Sequence, residues 1–388
     1  MGNLILLLPV KMKIIILLRI LWTGGAQKIA ISEAKSLRDM GHDVKLVFLR
    51  ETESGKLLHD SLLGLNWEIY SSSAKPNPMY SAITAYFSPD RKGEGTVDYD
   101  LIKKFANSLK PGEVDHIICH DQFAGIAGYK IKRRFGTPYS VFVHERVDGY
   151  PSKPIFGRIA KYVEKKVLSH ANIVFSVTEK VAESIKRVYS ILSIPNFPGM
   201  NIESCVPYEE RENILLSVSV WDRDRDPSFY LPVLLKTENF KLIVAGRWRD
   251  EGLRREFVSN LIKLNLENRV TLLEGFSEED LKSLYRKSKF SLRYGTDEYG
   301  PGMSNIEALS QCTPIIVYGG LGISDVISKY GCGFVSETWD FDEIVHFIKL
   351  NDNPDAYTKL QNEIMEISGI YTWEKHMKLL LFKMCAEK

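Results

Sequence analysis

Apolar residues occur in short continuous runs, separated by longer stretches of mixed apolar and polar residues. In the first half these runs lie at residues 13–18, 43–48, 115–119, 139–143 and 173–176. A second set lies at residues 214–218, 241–245, 269–273, 290–292 and 314–317. Buried strands that alternate with helices are typical of doubly wound parallel sheets. The pattern therefore predicts an α/β chain with two such sheets.

The two sets are separated by the segment Ile194-Pro-Asn-Phe-Pro-Gly199, whose prolines and glycine are typical of an interdomain linker. A length of 388 residues also fits two domains. We predict a first domain over residues 1–195 and a second over residues 196–371. Because ligands bind at the carboxyl ends of strands in such sheets, the turns after the strands are the candidate sites.

The most informative turn follows the run at residues 290–292. It carries Glu298, then Gly300 and Gly302, and leads into a predicted helix that begins near Ser304 and carries Glu307 in its first turn. Glycine lets backbone approach a ligand, and a helix N-terminus favours phosphate, with the amides near Met303 as donors. Carboxylates beside a phosphate site suit hydroxyl groups, so a sugar nucleotide would match both. Alternatively, Ser304 and Glu307 form only a capping box, and Glu298 is an ordinary loop acid.

The order of residues in this stretch resembles the signature of the retaining nucleotide-sugar glycosyltransferases of family four, which have the GT-B fold. In that motif seven residues separate two glutamates, and the second is followed by Ala-Leu, a small residue, Gly and Thr-Pro. Here eight residues separate Glu298 from Glu307, and Cys312 replaces the glycine. Choosing Asp297 as the first acid would give nine. The resemblance covers residues 13 to about 384 and implies two Rossmann-like domains facing across a cleft. It also implies that the final helix, residues 372–388, crosses back to the first domain.

Other strand ends also match turns of that family. Gly24 and Gly25 match a glycine turn that lies between donor and acceptor in that family. The glycine pattern of a dinucleotide-binding site is incomplete at this turn, so we expect no nicotinamide cofactor. Two bare glycines in a tight turn are the simpler alternative. Gly246 ends one strand of the second half, and Gly275 with Phe276 ends the next, which the resemblance places beside the base.

Histidines follow two strands of the first half. His144 is expected from the resemblance to touch the transferred sugar, and His120 with Asp121 to shape the acceptor side. A hydrogen-bonded packing histidine is the alternative at both positions. His144 and its neighbour Glu145 lack a third ligand at metal spacing, so we expect no metal.

The turn after residues 214–218 contains Asp222-Arg-Asp-Arg-Asp226. Paired aspartates suit a divalent cation, but Arg223 and Arg225 would repel one and are suited to bind a diphosphate. The resemblance places Arg225 at the family's lysine position, while Val220 replaces its arginine and leaves Arg223 as the substitute. A solvated charge run is the alternative.

Composition indicates which partners and which cellular location to expect. A net charge of +2 implies no large nucleic-acid footprint. The five cysteines show neither metal nor disulfide-framework spacing, so we expect a cytoplasmic protein. No apolar run is long enough to span a membrane. A helix predicted at residues 151–168 has a basic face, either solvated or docked on the inner face of a membrane. Its basic residues are Arg158, Lys161, Lys165 and Lys166.

Together these features predict transfer of a sugar from a UDP- or GDP-linked donor to a hydroxyl of a saccharide or lipid-linked acceptor. Retention and the absence of a cofactor are implied by the resemblance. Residues 51–112 form a long insertion in which we expect acceptor contacts. A sugar-nucleotide epimerase of related fold and a catalytically silent binding protein are the alternative functions.

Overall fold

The computed structural model describes residues 11–71, 97–147, 154–296 and 298–386, without the side chains of residues 154–160. The chain divides into two compact units. Unit 1 runs to Pro198 and includes the C-terminal segment from Trp373, and unit 2 spans Gly199–Thr372. The domain limits expected from the sequence, residues 195 and 371, stay a prediction.

Unit 1 contains a seven-stranded parallel sheet with the strand order β3-β2-β1-β4-β5-β6-β7. Its strands are β1 (Lys13–Leu21), β2 (Asp43–Glu51), β3 (Asn66–Ile69), β4 (His116–His120), β5 (Tyr139–Val143), β6 (Ile173–Ser176) and β7 (Ile194–Pro195). β1 pairs with β2 and β4, and its residues after Lys13 are all buried. A run of apolar residues interrupted only by Arg19 suits this position, because a central parallel strand is covered on both faces.

Helices connect these strands. In the described part of unit 1 they are α1 (Gly25–Asp39), α2 (Tyr99–Ser108), α3 (Gly125–Phe135), α4 (Pro154–His170), α5 (Glu179–Tyr189) and α13 (Trp373–Ala386). Asp98 caps α2 and Thr178 caps α5 through side-chain oxygens that accept a backbone N–H. The predicted final helix is therefore present, and it packs on α1 within this unit.

Unit 2 contains a six-stranded parallel sheet with the strand order β10-β9-β8-β11-β12-β13. Its strands are β8 (Glu212–Val218), β9 (Lys241–Ala245), β10 (Val270–Leu273), β11 (Ser288–Arg293), β12 (Ile315–Tyr318) and β13 (Gly333–Ser336). Its helices in the described part are α6 (Leu231–Leu235), α7 (Glu251–Lys263), α8 (Glu278–Lys287), α9 (Met303–Ser310), α10 (Ser324–Tyr330), α11 (Phe341–Asn351) and α12 (Pro354–Ile370). Aromatic residues such as Trp221, Tyr230 and Phe290 fill its core.

These two sheets confirm the predicted fold class. The sequence pattern missed β3, β7 and β13, which are edge strands. Each is only half-buried over most of its length and lacks the continuous apolar run of a central strand. β3 lies inside the predicted insertion, and β7 lies inside the predicted linker.

The spacing of the cysteines in sequence gave no indication of a disulfide, but the structure contains one. Cys205 and Cys312 form a disulfide within unit 2, with their Cα atoms 4.9 Å apart. They are 107 residues apart in sequence, so no local spacing could have revealed the pair. Cys119 and Cys332 are free and buried, and Cys385 is free and exposed.

Helix α4 corresponds to the predicted basic helix. The side chain of Arg158 lies outside the described residues, whereas Lys165 is exposed and Lys161 is half-buried. Lys166 lies 5.5 Å from the ring centroid of Tyr129. None of the described helices combines the length and the apolar character that a membrane span requires. Residues 72–96, the middle part of the expected acceptor insertion, also lie outside the described residues.

Candidate functional site

The loop between β11 and α9 carries the two predicted carboxylates. Helix α9 begins at Met303, with Gly302 as its N-cap at a φ of +66° and no side chain capping it. The capping box considered for Ser304 and Glu307 is therefore not formed. Glu307 lies in the second turn rather than the first, because the helix starts one residue earlier than predicted. The uncapped first turn leaves backbone N–H groups available to an anion.

Glu298 is held by Arg293, the last residue of β11. Its Oε2 accepts hydrogen bonds from Arg293 Nε at 2.9 Å and Nη2 at 2.6 Å. Arg293 also donates through Nη1 to the carbonyl oxygen of Val218 at 3.0 Å. Only 5% of the Arg293 side chain and 15% of the Glu298 side chain are exposed. The pair therefore fixes the carboxylate at the carboxyl end of the central strands.

The charge state of Glu298 follows from these neighbours. Burial would raise the pKa of its carboxyl group, but the positive charges of Arg293 and then Arg225 outweigh burial and lower the pKa below its ordinary value. Glu298 is thus an anion at neutral pH. Its Oε1 accepts no hydrogen bond from the described residues, so this oxygen is available to a ligand. The alternative first acid, Asp297, lies outside the described residues.

Close backbone packing shapes the loop around Glu298. A Cβ atom at Gly302 would lie 3.0 Å from Glu298 Oε1 and 2.8 Å from Asn305 Nδ2. A Cβ atom at Gly322 would lie 1.8 Å from the carbonyl oxygen of Tyr299, and the Gly322 amide donates to the carbonyl of Glu298 at 3.0 Å. The turn after β12 is therefore packed against the Glu298 loop, as its glycines require.

The two arginines predicted to bind diphosphate have different surroundings. Both lie in a short 3₁₀ turn, Arg223–Arg225, after β8. The stem of Arg225 packs near Gly295, where a Cβ atom would lie 3.5 Å from its Cγ, and its Nη1 lies 3.9 Å from Asp222. Arg225 therefore contributes positive charge beside the Glu298 loop.

Arg223 is instead held by two acidic side chains. Its Nε donates to Asp250 at 3.0 Å, and its Nη2 donates to Glu256 at 2.9 Å. With 55% of its side chain exposed, it is more open to solvent than Arg225, which is 25% exposed. Arg223 would have to leave these carboxylates to bind a diphosphate, and its role stays a prediction.

Gly246 and Gly275 follow β9 and β10. Both have a positive φ, +125° and +71° respectively. A Cβ atom at Gly246 would lie 1.8 Å from the carbonyl oxygen of Ser219, whereas a Cβ atom at Gly275 would have nothing within 4 Å. Only at Gly246 does the neighbouring backbone forbid a side chain.

This difference makes the two glycines a matched pair for mutation. We expect Gly246→Ala to lower the free energy of unfolding by about 2 kcal/mol or more, through steric overlap as well as backbone strain. Gly275→Ala should cost only about 1 kcal/mol, from the strained φ alone. Urea denaturation followed by circular dichroism measures both. Equal losses would contradict the overlap with Ser219.

The remaining residues expected at the donor site lie in or beside these turns of unit 2. Phe276 follows β10 and is half-buried, as are Gly300, Met303, Ser304 and Glu307. Burial raises the pKa of Tyr285, and the charge of Glu307 adds to that rise, which places Glu307 near this phenol. Their contacts with a donor stay predictions.

Unit 1 contains a chain of four hydrogen-bonded side chains at the carboxyl ends of β4 and β5. His120 ends β4, and His144 follows β5. His120 Nδ1 lies 2.9 Å from His144 Nε2, and His120 Nε2 lies 2.9 Å from Glu33 Oε2. The other Glu33 oxygen, Oε1, lies 2.8 Å from His376 Nε2. The two predicted histidines are therefore joined to an acid on α1 and to a histidine on α13.

The pKa values in this chain are strongly shifted. Burial would raise the pKa of Glu33, but electrostatic attraction to the imidazole rings of His120 and His376, together with their hydrogen bonds, outweighs burial and lowers it to about 2. Burial, reinforced by neighbouring His120, lowers the pKa of His144 to about 3. Glu33 is therefore an anion and His144 a neutral imidazole at neutral pH.

Asp121 is committed to local structure. It has a φ of +95°, and its Oδ1 accepts the backbone amides of Phe123 at 2.8 Å and Ala124 at 2.7 Å. Its Oδ2 accepts from Arg19 Nε at 2.7 Å. These bonds shape the turn after β4, and a direct contact of Asp121 with an acceptor stays a prediction.

The glycine turn after β1 is built differently from the others. Gly24 is the N-cap of α1 with an extended backbone, a φ of −140°, that any residue adopts. A Cβ atom there would lie 2.5 Å from Gln27 Oε1 and 2.7 Å from Trp22 Nε1. Crowding by side chains, rather than backbone conformation, explains this glycine. A donor contact of Gly24 or Gly25 stays a prediction.

Sequence reasoning missed three residues of these clusters: Arg293, Glu33 and His376. Glu33 lies on the buried side of α1 beside Ile29, Ala30, Ala34 and Leu37. An acid on an apolar stripe is a signal that could have been used, because a buried charge needs a partner. The chain gave no comparable local signal for His376. No group of three metal-binding side chains occurs among the residues that the structure describes.

The chain matches two family models. Residues 207–364 match the model described as Glycosyl transferases group 1, and residues 23–197 match the model described as Glycosyltransferase Family 4. Together they span most of the chain. Among curated proteins, none matches the sequence.

Several solved structures share the fold at low sequence identity. HepE of Anabaena, solved with UDP and glucose, has a TM-score of 0.76 and 15% identity, covering 97% of this chain and 100% of HepE. A glycosyltransferase of Rickettsia africae has a TM-score of 0.72 and 15% identity, covering 97% and 98%. Sucrose-phosphate synthase of Thermosynechococcus elongatus has a TM-score of 0.72 and 17% identity, covering 97% and 100%. The chain therefore has the GT-B fold and belongs to the group 1, family 4 glycosyltransferases.

Proposed function

We propose that this protein transfers a sugar from a nucleoside-diphosphate sugar, UDP- or GDP-linked, to a hydroxyl group of an acceptor, with retention at the anomeric carbon. The observation that carries the proposal is the Glu298 loop of unit 2. It combines a fixed carboxylate with one available oxygen, a positive side chain at Arg225, and an uncapped helix N-terminus at Gly302. Family membership supports the same activity.

In this proposal Glu298 Oε1 accepts hydrogen bonds from hydroxyl groups of the transferred sugar. Arg293 neutralises the buried carboxylate through Oε2 and leaves Oε1 for the ligand. Glu307 binds the ribose. The base contacts the turns at Gly246, Gly275 and Phe276. UDP-glucose bound to HepE supports a donor of this class.

Arg225 and the amides near Gly302, Met303 and Ser304 stabilise the negative charge that develops on the leaving diphosphate. Preorganised charges of this kind contribute several kcal/mol to catalysis in such sites. Arg223 adds a second contact after release from Asp250 and Glu256. These donors supply the charge neutralisation that a metal ion supplies elsewhere, so we propose that the reaction needs no metal and no cofactor.

We also propose roles for residues of unit 1. His144 contacts the transferred sugar, His120 and Asp121 shape the acceptor side, and the turn at Gly24 and Gly25 contributes backbone. We propose an acceptor that is a saccharide or a lipid-linked saccharide, with Lys161, Lys165 and Lys166 of α4 near the membrane that holds it. Cosedimentation with vesicles of anionic lipid tests the membrane contact, which is wrong if neutral and anionic vesicles bind equally.

The function is tested with purified protein and a panel of UDP- and GDP-linked sugars, in the presence of EDTA. Calorimetry measures donor and nucleoside-diphosphate binding. Release of nucleoside diphosphate, with and without saccharide acceptors, measures turnover, and proton NMR of the product identifies its anomeric configuration. We expect binding of one donor class and slow donor hydrolysis without acceptor.

The outcomes separate the competing functions. Binding without turnover, under any acceptor, would favour a silent binding protein. Conversion of the donor into an epimer would favour the epimerase. An inverted product would reject retention while preserving glycosyl transfer. Absence of both nucleotide binding and turnover would reject the proposal.

A further inference from the structure

The hydrogen-bond chain in unit 1 links His144 to two buried residues that have no place in the proposed chemistry. Glu33 and His376 have exposed fractions of 0% and 3%. Burying a carboxylate is costly unless it is paired, and here it is bound by two imidazole rings. The protonation pattern of these rings follows from which atoms face each other.

His376 has an acceptor at both ring nitrogens. Its Nε2 faces Glu33 Oε1 at 2.8 Å, and its Nδ1 faces the backbone carbonyl of Phe197 at 2.9 Å. A carboxylate and a carbonyl only accept hydrogen bonds, so both nitrogens of His376 must carry protons. His376 is therefore an imidazolium cation that neutralises the Glu33 anion.

The pair of Glu33 and His376 determines the protonation state of His120. Its Nε2 faces Glu33 Oε2 and must donate. A second imidazolium on the same carboxylate would leave an unbalanced positive charge in a site where His120 is 1% exposed. His120 is therefore neutral, with its proton on Nε2 and a lone pair on Nδ1.

The lone pair of His120 in turn orients the proton of His144. His120 Nδ1 accepts the hydrogen bond from His144 Nε2 at 2.9 Å, so His144 carries its proton on Nε2. The lowered pKa of His144 is consistent with a neutral ring. Among the described residues, His144 Nδ1 has no hydrogen-bond partner. Its lone pair is therefore available for a donor group.

We propose that Glu33 and His376 are positioning residues that hold His144 in its Nε2–H tautomer, and that His144 Nδ1 thereby accepts a hydrogen bond from a substrate hydroxyl. The relay is His376, Glu33, His120 and His144, in that order. A neutral acceptor of this kind selects a hydroxyl and does not neutralise the diphosphate. The assignment of the hydroxyl to a sugar rests on the proposed function.

The relay is tested first in the wild-type protein by long-range proton–nitrogen NMR with ¹⁵N-labelled histidine. Single His→Gln variants assign the resonances. At pH 7 we expect His376 protonated on both nitrogens, and His120 and His144 protonated on Nε2 alone. A proton on His144 Nδ1, or a neutral His376, would overturn the relay. This spectrum is recorded on the wild-type protein, so it does not depend on whether Glu33→Gln folds.

The second test is Glu33→Gln, with Glu183→Gln as a matched control on the exposed side of α5. The amide of Gln presents an NH₂ group to one of the two rings and a carbonyl oxygen to the other, so His120 and His376 can no longer both donate to this side chain and one of them must change its proton arrangement. We expect the histidine spectrum to change. We also expect kcat/KM to fall roughly tenfold, because that factor corresponds to the loss of one hydrogen bond. Nucleoside-diphosphate affinity should be unchanged in both variants.

The two proposals fail in different ways. If the wild-type spectrum shows the expected tautomers but no donor is turned over, the relay stands and the proposed function falls. If turnover is present and Glu33→Gln matches Glu183→Gln in both spectrum and kcat/KM, the relay falls. A purely structural role for Glu33 would reduce stability without changing the tautomers of a folded variant.

Discussion

Replacing Glu298 with Gln is expected to lower kcat/KM for glycosyl transfer by roughly a hundredfold, the range seen when one preorganised polar contact of an active site is removed. The substitution keeps the shape of the side chain but removes its negative charge. Oε1 then no longer offers a charged acceptor to the sugar hydroxyls. Affinity for the nucleoside diphosphate without sugar should be unchanged, because the sugar contact is the one removed.

A stability change accompanies this loss, because Arg293 then lacks its counter-charge. Removing one partner of a buried ion pair costs about 3–5 kcal/mol, and one remaining hydrogen bond to the Gln carbonyl reduces that cost. Activity is therefore measured at a temperature at which circular dichroism shows the variant folded. Glu366→Gln, on the exposed side of α12, is the matched control for charge. Equal kcat/KM for the two variants would remove Glu298 from the site.

Replacing Arg225 with Ala is expected to have an effect of similar size, with a different signature. Loss of a guanidinium beside the diphosphate should lower kcat/KM by roughly 10²- to 10³-fold and also weaken nucleoside-diphosphate binding. Arg225→Lys should recover part of the loss, since a charge remains but the forked donors do not. Calorimetry and steady-state kinetics measure the two effects.

Arg223→Ala is the matched comparison, since both arginines lie in the same turn. Arg223 bonds to Asp250 and Glu256 at the surface, and such exposed pairs contribute only about 0–1 kcal/mol to stability. We expect a smaller kinetic loss than for Arg225. An equal loss would show that Arg223 leaves its acids when the donor binds. No loss in either variant would contradict the diphosphate site.

The pH dependence provides a second readout for Arg225. Its positive charge helps to hold the pKa of Glu298 below the ordinary value. Without that charge the carboxylate is less stable, so its pKa rises and protonation begins at higher pH. The acidic limb of the kcat/KM profile should therefore move to higher pH in Arg225→Ala. If the acidic limb of the profile does not move, protonation of Glu298 does not control that limb.

Part of the candidate site could be read from the sequence. The loop from Arg293 to Ser304 follows a buried strand and contains acid, glycine and helix signals in order, and each of these is local. The same reasoning located His120 and His144 after their strands. It could not reveal that Arg223 is paired with two acids, because Asp250 and Glu256 lie in another segment. It also assigned no role to Arg293, whose partner is only known once the loop has folded back.

By itself the sequence determined the two parallel sheets, the turns at their carboxyl ends and the glycines in those turns. These follow from apolar runs and from backbone conformations, which depend on neighbouring residues. Only the tertiary structure decided which distant side chains pair. Glu33 pairs with His376, 343 residues away, and Cys205 forms a disulfide with Cys312. The physical reason is that a buried polar group is stabilised by whichever partner folding brings to it, and sequence distance carries no information about that partner.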